Sequence, residues 1–240
     1  MKPEDILGHA PKVLSQDQRE FYFEHGYLVL ENFINQDWLD RLWAVTNGFI
    51  EKSRERTKSG GVFDLEPNHT AENPRLRRIS QPVEIDPVYE EFGLRGPIVD
   101  LAEDLVGPNV KYHHSKLNLK WADGGEEVKW HQDIQFWPHT NYSPLTIGLY
   151  MDDVNDEMGP MGVIPGSHKG EIFDLYGKDG GWVGALDDGD LERVEMDKVV
   201  WLKGPKGSVT IHNCRMLHGS AANNSSRSRP LLLHTYASAD

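Results

Sequence analysis

A histidine and an aspartate, His131 and Asp133, stand two residues apart in the segment KWHQDIQFW. In a β-strand, side chains two residues apart project from the same face, so this imidazole and this carboxylate would converge on one point. Both groups are common metal ligands, but an HxD pair taken alone occurs by chance in many chains. A metal site therefore needs at least one further ligand from elsewhere in the sequence.

Among the eleven histidines, the best third ligand is His218, in the segment NCRMLHGSAANNS. It follows a strand-like run and precedes a turn-forming Gly-Ser, and its separation from His131 is too long for a zinc finger. The separation fits two neighbouring strands of a closed antiparallel barrel. Two histidines and one carboxylate on one side of a metal leave the opposite positions open, which is the arrangement of non-haem Fe(II) oxygenases.

An arginine, Arg229, follows His218 and opens the apolar run PLLLHTY. A guanidinium at the start of the last barrel strand could clamp a carboxylate in bidentate fashion. The chain carries 38 acidic and 25 basic residues, with a formal charge of −13. A dianionic cosubstrate such as 2-oxoglutarate therefore needs positive charge close to its binding site. Without the metal ligands, Arg229 is more simply a surface residue beside Arg227.

The segment PRLRRIS is basic, although the chain as a whole is acidic. Its positive charges are those of Arg75, Arg77 and Arg78. A solvated surface is the simpler interpretation, but such a cluster could also bind a substrate that carries a carboxylate or a phosphate. Trp137, just after the HxD pair, could line a substrate cavity, although core packing explains it equally well. These four residues are candidate substrate contacts.

The secondary structure that must position these residues is predicted to change from mainly helical to mainly β near residue 107. Residues 14–106 are predicted to be mainly helical, and the capping box of Ser15 and Gln18 marks the start of the first helix. The predicted order is a helix that ends at Gly26, a strand at 27–32, a helix at 36–56, a polar loop at 58–73 and a helix at 87–105 with weak points at Gly93 and Pro97.

Short runs of β-branched and aromatic residues alternate with turn-forming clusters over residues 110–238. Because no long helix separates these runs, the pattern predicts an antiparallel sandwich or barrel, and a mainly β (α+β) fold class. The candidate strands are 110–121, 145–154, 162–165, 199–202, 208–213 and 230–237.

Composition narrows the class of protein further. Net acidity argues against nucleic acid or an anionic membrane as the main partner, and no apolar run is long enough to span a bilayer. The single cysteine, Cys214, excludes an intramolecular disulfide and favours a reducing compartment, so we expect a cytoplasmic protein. The sequence does not indicate an oligomeric state.

Taken together, these motifs resemble the phytanoyl-CoA dioxygenase (PhyH) family of Fe(II)- and 2-oxoglutarate-dependent oxygenases. The resemblance runs from about residue 14 to the end, and it rests on four segments: LSQDQREFYFEHGYLVLENFI, WHQD, GPMGVIPGSHKG and HNCRMLHGSAANNSSRSRP. It implies a single domain over 1–240. In this domain a jelly-roll, cupin-like double-stranded β-helix carries an N-terminal helical layer on its larger sheet.

The resemblance also implies a role for each matching residue. His131, Asp133 and His218 match the iron ligands, and Arg229 matches the arginine that binds the distal carboxylate of 2-oxoglutarate. Ser220 matches a hydroxyl that assists this arginine. Two further positions, at which the family often has 2-oxoglutarate contacts, correspond to Asn118 and Thr146.

The activity implied by the resemblance is hydroxylation of an unactivated C–H bond in a small molecule, with O2 consumed and succinate and CO2 released. The carboxylate of Asp133 favours hydroxylation, because halogenases of this broad group have a small residue in its place. The arginine cluster favours an anionic substrate. Two alternatives stay open: a cupin-like metal enzyme that does not use 2-oxoglutarate, and a non-catalytic binding or sensor protein on the same fold.

Overall fold

Antiparallel strands make up most of the regular structure in the computed structural model, which describes residues 2–122, 125–137, 139, 141 and 143–239. Every strand pair in this part of the chain is antiparallel. The strands are β1 (Tyr27–Leu30), β2 (Phe63–Leu65), β3 (Leu76–Ser80), β4 (Val110–Lys120), β5 (Val128–His131), β6 (Leu145–Tyr150), β7 (Met161–Val163), β8 (Val200–Leu202), β9 (Val209–Asn213), β10 (His218–Ser220) and β11 (Arg229–Ser238).

These strands form two sheets. The larger sheet has seven strands in the order β1-β9-β6-β11-β4-β3-β2, and the smaller sheet has four in the order β5-β10-β7-β8. Strands distant in sequence are neighbours in both sheets, as in a jelly roll. The predicted mainly β, double-stranded β-helix architecture is confirmed.

The helices pack on one face of the larger sheet. Leu117 of β4 and Leu232 of β11 belong to the same buried apolar cluster as Leu42 and Leu101 from the helices. Successive side chains of a strand point to opposite faces, so the alternate residues of β4 and β11 face the space between the two sheets. The helices are α1 (Pro3–Leu7), α2 (Gln16–His25), α3 (Gln36–Ser53), α4 (Pro82–Ile85), α5 (Pro87–Arg95), α6 (Pro97–Val106) and α7 (Asp188–Leu191).

Local sequence explains the ends of several helices. The Ser15–Gln18 capping box begins α2, and Gly26, with φ of 83°, ends it in the left-handed region that glycine adopts without strain. The helix predicted over 87–105 is two helices, α5 and α6, because Gly96 is extended and Pro97 starts a new helix. Within the described residues, none of the helices has the length and apolar character needed to cross a membrane.

One prediction about the N-terminal part was wrong, and one segment without a predicted structure is a strand. The stretch predicted as a loop at 58–73 contains β2, and the basic segment PRLRRIS forms β3. β3 pairs with β4 and β2 pairs with β3 at the edge of the larger sheet, so residues 14–106 supply strands as well as the helical layer. A strand of three to five residues is too short to be recognised from sequence, because its stability comes from pairing with distant neighbours.

Candidate active site

The side chains of His131, Asp133 and His218 meet between the two sheets. All three are buried, and one ligand atom from each lies within 4.8 Å of the others. His131 ends β5 and His218 begins β10, and the two residues are directly opposed in the pairing of these strands. Asp133 begins a 3₁₀ turn just after β5, which brings its carboxylate to the same point.

Backbone carbonyls fix the orientation of both imidazoles. Nδ1 of His131 lies 2.8 Å from the carbonyl oxygen of Lys129, and Nδ1 of His218 lies 2.9 Å from that of Met216. A carbonyl oxygen only accepts hydrogen bonds, so each Nδ1 carries the proton and each Nε2 presents its lone pair to the centre. The Nε2 atoms of His131 and His218 lie 3.5 and 3.8 Å from Asp133 Oδ1. This donor set fits a single metal ion such as Fe(II).

The protonation states of the ligands suit metal binding. Burial lowers the pKa of His218 well below its usual range, so this imidazole is neutral. Burial acts to raise the pKa of Asp133, but the interactions of its carboxylate with the surrounding imidazoles and with the amine of Lys116 outweigh this effect. The pKa of Asp133 is therefore held well below its usual range, and the side chain is a carboxylate.

The second oxygen of Asp133 is held by two neighbouring side chains. Thr146 Oγ1 and His212 Nε2 each lie 3.4 Å from Asp133 Oδ2, and Thr146 Oγ1 also lies 3.1 Å from Thr235 Oγ1. Thr146, which the resemblance offered as a 2-oxoglutarate contact, therefore touches a metal ligand in this structure. Because Oδ2 is in contact with Thr146 and His212, Oδ1 is the oxygen that faces the imidazoles. We therefore expect Asp133 to bind a metal through one oxygen.

Arg229 lies in the same cavity, at the start of β11, and is 3% exposed. Its Nε and Nη1 have no hydrogen-bond partner among the described residues. Burial lowers the pKa of Arg229, but a guanidinium stays protonated in proteins. A buried, charged guanidinium with N–H groups to spare fits the carboxylate of a bound ligand, which supports a cosubstrate such as 2-oxoglutarate.

Lys120 is a functional candidate that the sequence reasoning missed. It is directly opposed to Arg229 in the β4–β11 pairing, and its Nζ donates to Ser220 Oγ at 2.6 Å and to the carbonyl of Ala221 at 2.5 Å. Burial lowers the pKa of Lys120 to about 7, and the charge of Arg229 adds to this effect. Ser220 and Arg229 line the metal cavity, and Lys120 lines the smaller adjacent cavity, which Arg229 also borders. The sequence could have indicated Lys120 as a site residue. It is two residues after the candidate Asn118, so the two side chains must lie on the same face of β4.

Only one arginine of the predicted basic cluster reaches the metal cavity. Arg78 lines it and donates from Nε to Asn118 Oδ1 at 3.0 Å. Arg77 instead pairs with Asp64 at 2.8 Å and borders a smaller adjacent cavity. Arg75 donates to the carbonyl of Ala122 and lies over the ring of Trp121. Arg75 and Arg77 therefore do not line the metal cavity in this structure, and a contact between either of them and a substrate stays a prediction.

The cavity has a volume of about 630 Å³ and is lined by both sheets. Trp137 lines it and contacts the rings of His113 and His114, and Phe136 stands half exposed at its edge. The apolar part of the wall includes Met161, Val183, Ala185, Leu231 and Leu233.

The fold and the three ligands define a non-haem, metal-dependent oxygenase with a double-stranded β-helix core. A sequence model of the phytanoyl-CoA dioxygenase (PhyH) family matches residues 22–231, and the chain belongs to this family. The predicted family, the dioxygenase class and the use of Fe(II) and 2-oxoglutarate are confirmed.

Two relatives and one solved structure illustrate the similarity. A probable alpha-ketoglutarate-dependent hypophosphite dioxygenase of Stutzerimonas stutzeri is 32% identical over 95% of this chain and 80% of the relative. L-proline trans-4-hydroxylase of Streptomyces griseoviridis is 33% identical over 83% of this chain and 81% of the relative. The crystal structure of EctD from S. alaskensis with 2-oxoglutarate and 5-hydroxyectoine has a TM-score of 0.79 at 23% identity, over 97% of this chain and 80% of that one. The likeness to EctD shows a shared fold.

Proposed function

We propose that the protein hydroxylates an unactivated C–H bond of a small anionic molecule, while 2-oxoglutarate is converted to succinate and CO2. The observation that carries this proposal is the buried guanidinium of Arg229, with unpartnered N–H groups, in the cavity that holds His131, Asp133 and His218. The two relatives named above act on hypophosphite and L-proline, by their names. Both compounds are small and carry a negatively charged oxygen, which supports this substrate class.

His131, Asp133 and His218 would hold Fe(II), and the bound metal would supply the oxidising chemistry together with 2-oxoglutarate and O2. The two imidazoles are oriented before any metal binds, because backbone carbonyls accept from their Nδ1 protons. Asp133 would bind through Oδ1 alone, which keeps more positions open for the cosubstrate and oxygen.

Arg229, Ser220 and Lys120 would hold the distal carboxylate of 2-oxoglutarate. Ser220 lies two residues from His218 on β10, which places it ~7 Å further along the strand. A five-carbon diacid can span such a distance, with its 2-oxo acid end at the metal. Asn118 lines the same cavity, and its side-chain oxygen already accepts from Arg78, so a contact between Asn118 and the cosubstrate would use its amide N–H groups.

The apolar wall would keep the reacting centre poor in water. Leu231, Leu233 and Met161 line the cavity together with the metal ligands and Arg229. In a water-poor cavity, the electrostatic interactions of the guanidinium and the metal ligands are stronger than in solvent. A single buried thiol, Cys214, also supports our proposal that the protein works in the reducing cytoplasm.

The test is a titration of Fe(II)-loaded protein with 2-oxoglutarate in the absence of oxygen, in which a weak visible charge-transfer band reports chelation. We expect the band in the wild type, its loss in Asp133→Ala, and a Kd for 2-oxoglutarate raised at least about tenfold in Arg229→Ala. Arg227→Ala is the matched control, because the Arg227 side chain is half exposed and lies near Asp152 at the surface.

Metal-loaded wild type that shows no band would contradict the proposal. Turnover that proceeds without 2-oxoglutarate would favour the cupin-like alternative. Absence of succinate production with any small-molecule mixture, despite a normal band, would favour a binding or sensor protein.

A further inference from the structure

Five large apolar side chains form an exposed rim beside the metal cavity. Each is 45% to 56% exposed, and they are Val128, Phe136, Tyr176, Trp182 and Val183. Val128, Phe136 and Val183 also line the cavity itself. The other two extend the rim outward, because the ring of Trp182 lies 5.1 Å from the rings of both Phe136 and Tyr176. Single exposed apolar side chains are common, but a contiguous group of them marks a binding site.

A hairpin anchored in the core carries the outer part of this apolar rim. Tyr176 and Trp182 pair across the hairpin, and the backbone N–H groups of Val183 and Gly184 both donate to the carbonyl of Leu175. Leu175 is fully buried in an apolar cluster, so the base of the hairpin is fixed. The fold therefore holds the side chains of Trp182 and Val183 at the surface, where water is their main neighbour.

Gly184 allows the hairpin to approach Phe136 closely. Its φ of 71° lies in the left-handed region, and a Cβ atom at this position would lie 3.1 Å from Phe136 Cζ and 3.3 Å from Trp182 Nε1. A side chain at 184 would therefore push the two rings away. The ring of Phe136 also lies 5.6 Å from that of His131. Aromatic contacts thus run without interruption from a candidate metal ligand to Tyr176 at the surface.

The cavity is larger than the cosubstrate and a very small substrate require. Its volume is about 630 Å³. Liquid water takes ~30 Å³ per non-hydrogen atom and bonded atoms take less, so the ten such atoms of 2-oxoglutarate fill at most ~300 Å³. At the same limit, hypophosphite and L-proline, with three and eight such atoms, would fill ~90 and ~240 Å³. The remaining ~330 Å³ leaves room for a larger molecule than either.

The position of the apolar rim favours a substrate, and not a second copy of the chain, as its occupant. Three of its five side chains line the cavity, so a ligand beside the metal ligands reaches them directly. On the outer side, the tip of the hairpin carries the exposed charged residues Lys178 and Asp179. The apolar surface is therefore continuous with the metal cavity and is bounded by charge at the tip of the hairpin.

We propose that the apolar rim holds a hydrocarbon group of the substrate while the reacting carbon lies beside the metal ligands. The inference rests on the proposed function, and it adds that the substrate is an amphiphilic anion of about ten or more non-hydrogen atoms. Contact with this group would remove apolar surface of both the substrate and the rim from water, which stabilises the complex. Phe136 and Trp182 are the residues that would select for the hydrocarbon group.

The test measures how affinity depends on the length of the apolar group, without turnover. Enzyme loaded with Zn(II) and saturated with 2-oxoglutarate, which fills the cosubstrate pocket, is titrated by calorimetry with butanoate, hexanoate and octanoate. We expect the Kd to fall about two- to fourfold for each added methylene, because each one leaves water for the rim. In Trp182→Ala the ratio of the butanoate and octanoate Kd values should shrink at least about fivefold. Trp182→Phe should keep most of the wild-type ratio.

The matched control is Trp201→Ala, because Trp201 is a similarly exposed tryptophan on β8 that does not line the metal cavity. This variant should keep the wild-type dependence on chain length. Affinity that does not depend on chain length in the wild type would overturn the proposal, and so would equal losses in Trp182→Ala and Trp201→Ala.

Two further measurements separate this proposal from its alternatives. Sedimentation of the wild type should show no dimer that Trp182→Ala dissociates, since such a dimer would assign the apolar rim to a second copy of the chain and overturn the proposal. The charge-transfer band of the anaerobic Fe(II) enzyme tests the proposed function separately. A wild type without this band would contradict only that function, and a dependence on chain length that requires Trp182 would still support the rim as the site of the apolar group.

Discussion

The amine of Lys120 and the hydroxyl of Ser220 lie 2.6 Å apart and connect the larger sheet to the smaller one. Arg229 is directly opposed to Lys120 on the neighbouring strand β11. Because Lys120 Nζ donates to Ser220 Oγ, the hydroxyl proton of Ser220 remains available for another acceptor. The lysine thus orients the hydroxyl toward the end of the cavity where we propose that the distal carboxylate of 2-oxoglutarate binds.

Replacement of Lys120 by methionine should weaken the binding of 2-oxoglutarate without lowering the free energy of unfolding. We expect the Kd of 2-oxoglutarate to rise at least about tenfold, because one cation and the orientation of Ser220 are lost. The free energy of unfolding of the free enzyme should stay equal or increase, because burial of the amine opposes its charged form. Titration of the charge-transfer band and urea denaturation measure the two effects. Lys206→Met, at an exposed site, is the control. An unchanged Kd in Lys120→Met would contradict the role of this residue.

The affinity for 2-oxoglutarate should fall as the pH rises through about 7. The pKa of Lys120 in the free enzyme is about 7, and its neighbours are Arg229, which lowers it, and Glu127, which raises it. A bound dianion favours the ammonium form, so binding above this pH takes up one proton and log Kd rises by up to about one per pH unit. Measurements from about pH 6 to 9 check this slope. Lys120→Met should have a flat profile, and an identical slope in both proteins would assign the effect to another group.

The candidate metal ligands could be predicted from sequence because the information is local. His131 and Asp133 stand at a two-residue spacing, and His218 follows a recognisable strand-like run. The long strands β4 and β11 were also recognisable, since each has ten or more residues, with leucine at alternate positions near the end of β4 and a run of three leucines in β11. Their predicted bounds differ from the observed ones by one residue at the ends.

The placement of the basic side chains of β3 and β4 could not be predicted in the same way. Which face of β3 turns inward depends on its pairing with β4, about forty residues later, so Arg78 could not be separated from Arg75 and Arg77. Lys116 and Lys120 could have been found, because both alternate with buried leucines on β4 and share a face with Asn118. What the sequence could not indicate is which strands lie beside these lysines, because that depends on the position of β4 in the sheet.

Loss of the Thr146 hydroxyl should weaken metal binding without loss of a ligand. Thr146 Oγ1 contacts Asp133 Oδ2 at 3.4 Å, and Thr146→Val removes this support while it keeps the shape of the side chain. Loss of a side chain that hydrogen-bonds to a metal ligand typically costs about 10–100-fold in metal affinity, and for a contact this long we expect about tenfold. Competition with an Fe(II) chelator measures the change. Thr210→Val is the matched control, because Thr210 is buried in the same sheet and its hydroxyl donates to the Gly148 carbonyl, away from the three candidate metal ligands. Equal affinities in the two variants would show that Thr146 does not position Asp133.

A buried carboxylate far from the metal should control stability alone. Asp104 of α6 is 3% exposed and accepts hydrogen bonds from the backbone N–H groups of Lys12, Val13 and Leu14, at 2.7 to 2.9 Å. Asp104→Ala leaves these donors without their acceptor, so we expect a loss of about 2–4 kcal/mol in the free energy of unfolding, measured by urea denaturation.

The control for this prediction is Asp100→Ala, on the same helix. Asp100 is about half exposed and pairs with Lys12 at the surface, so its loss should cost far less. The Kd of 2-oxoglutarate should be unchanged in both variants at temperatures where they are folded, because neither residue lines the metal cavity. If Asp104→Ala proved no less stable than Asp100→Ala, the three hydrogen bonds would not hold the segment before α2 in place.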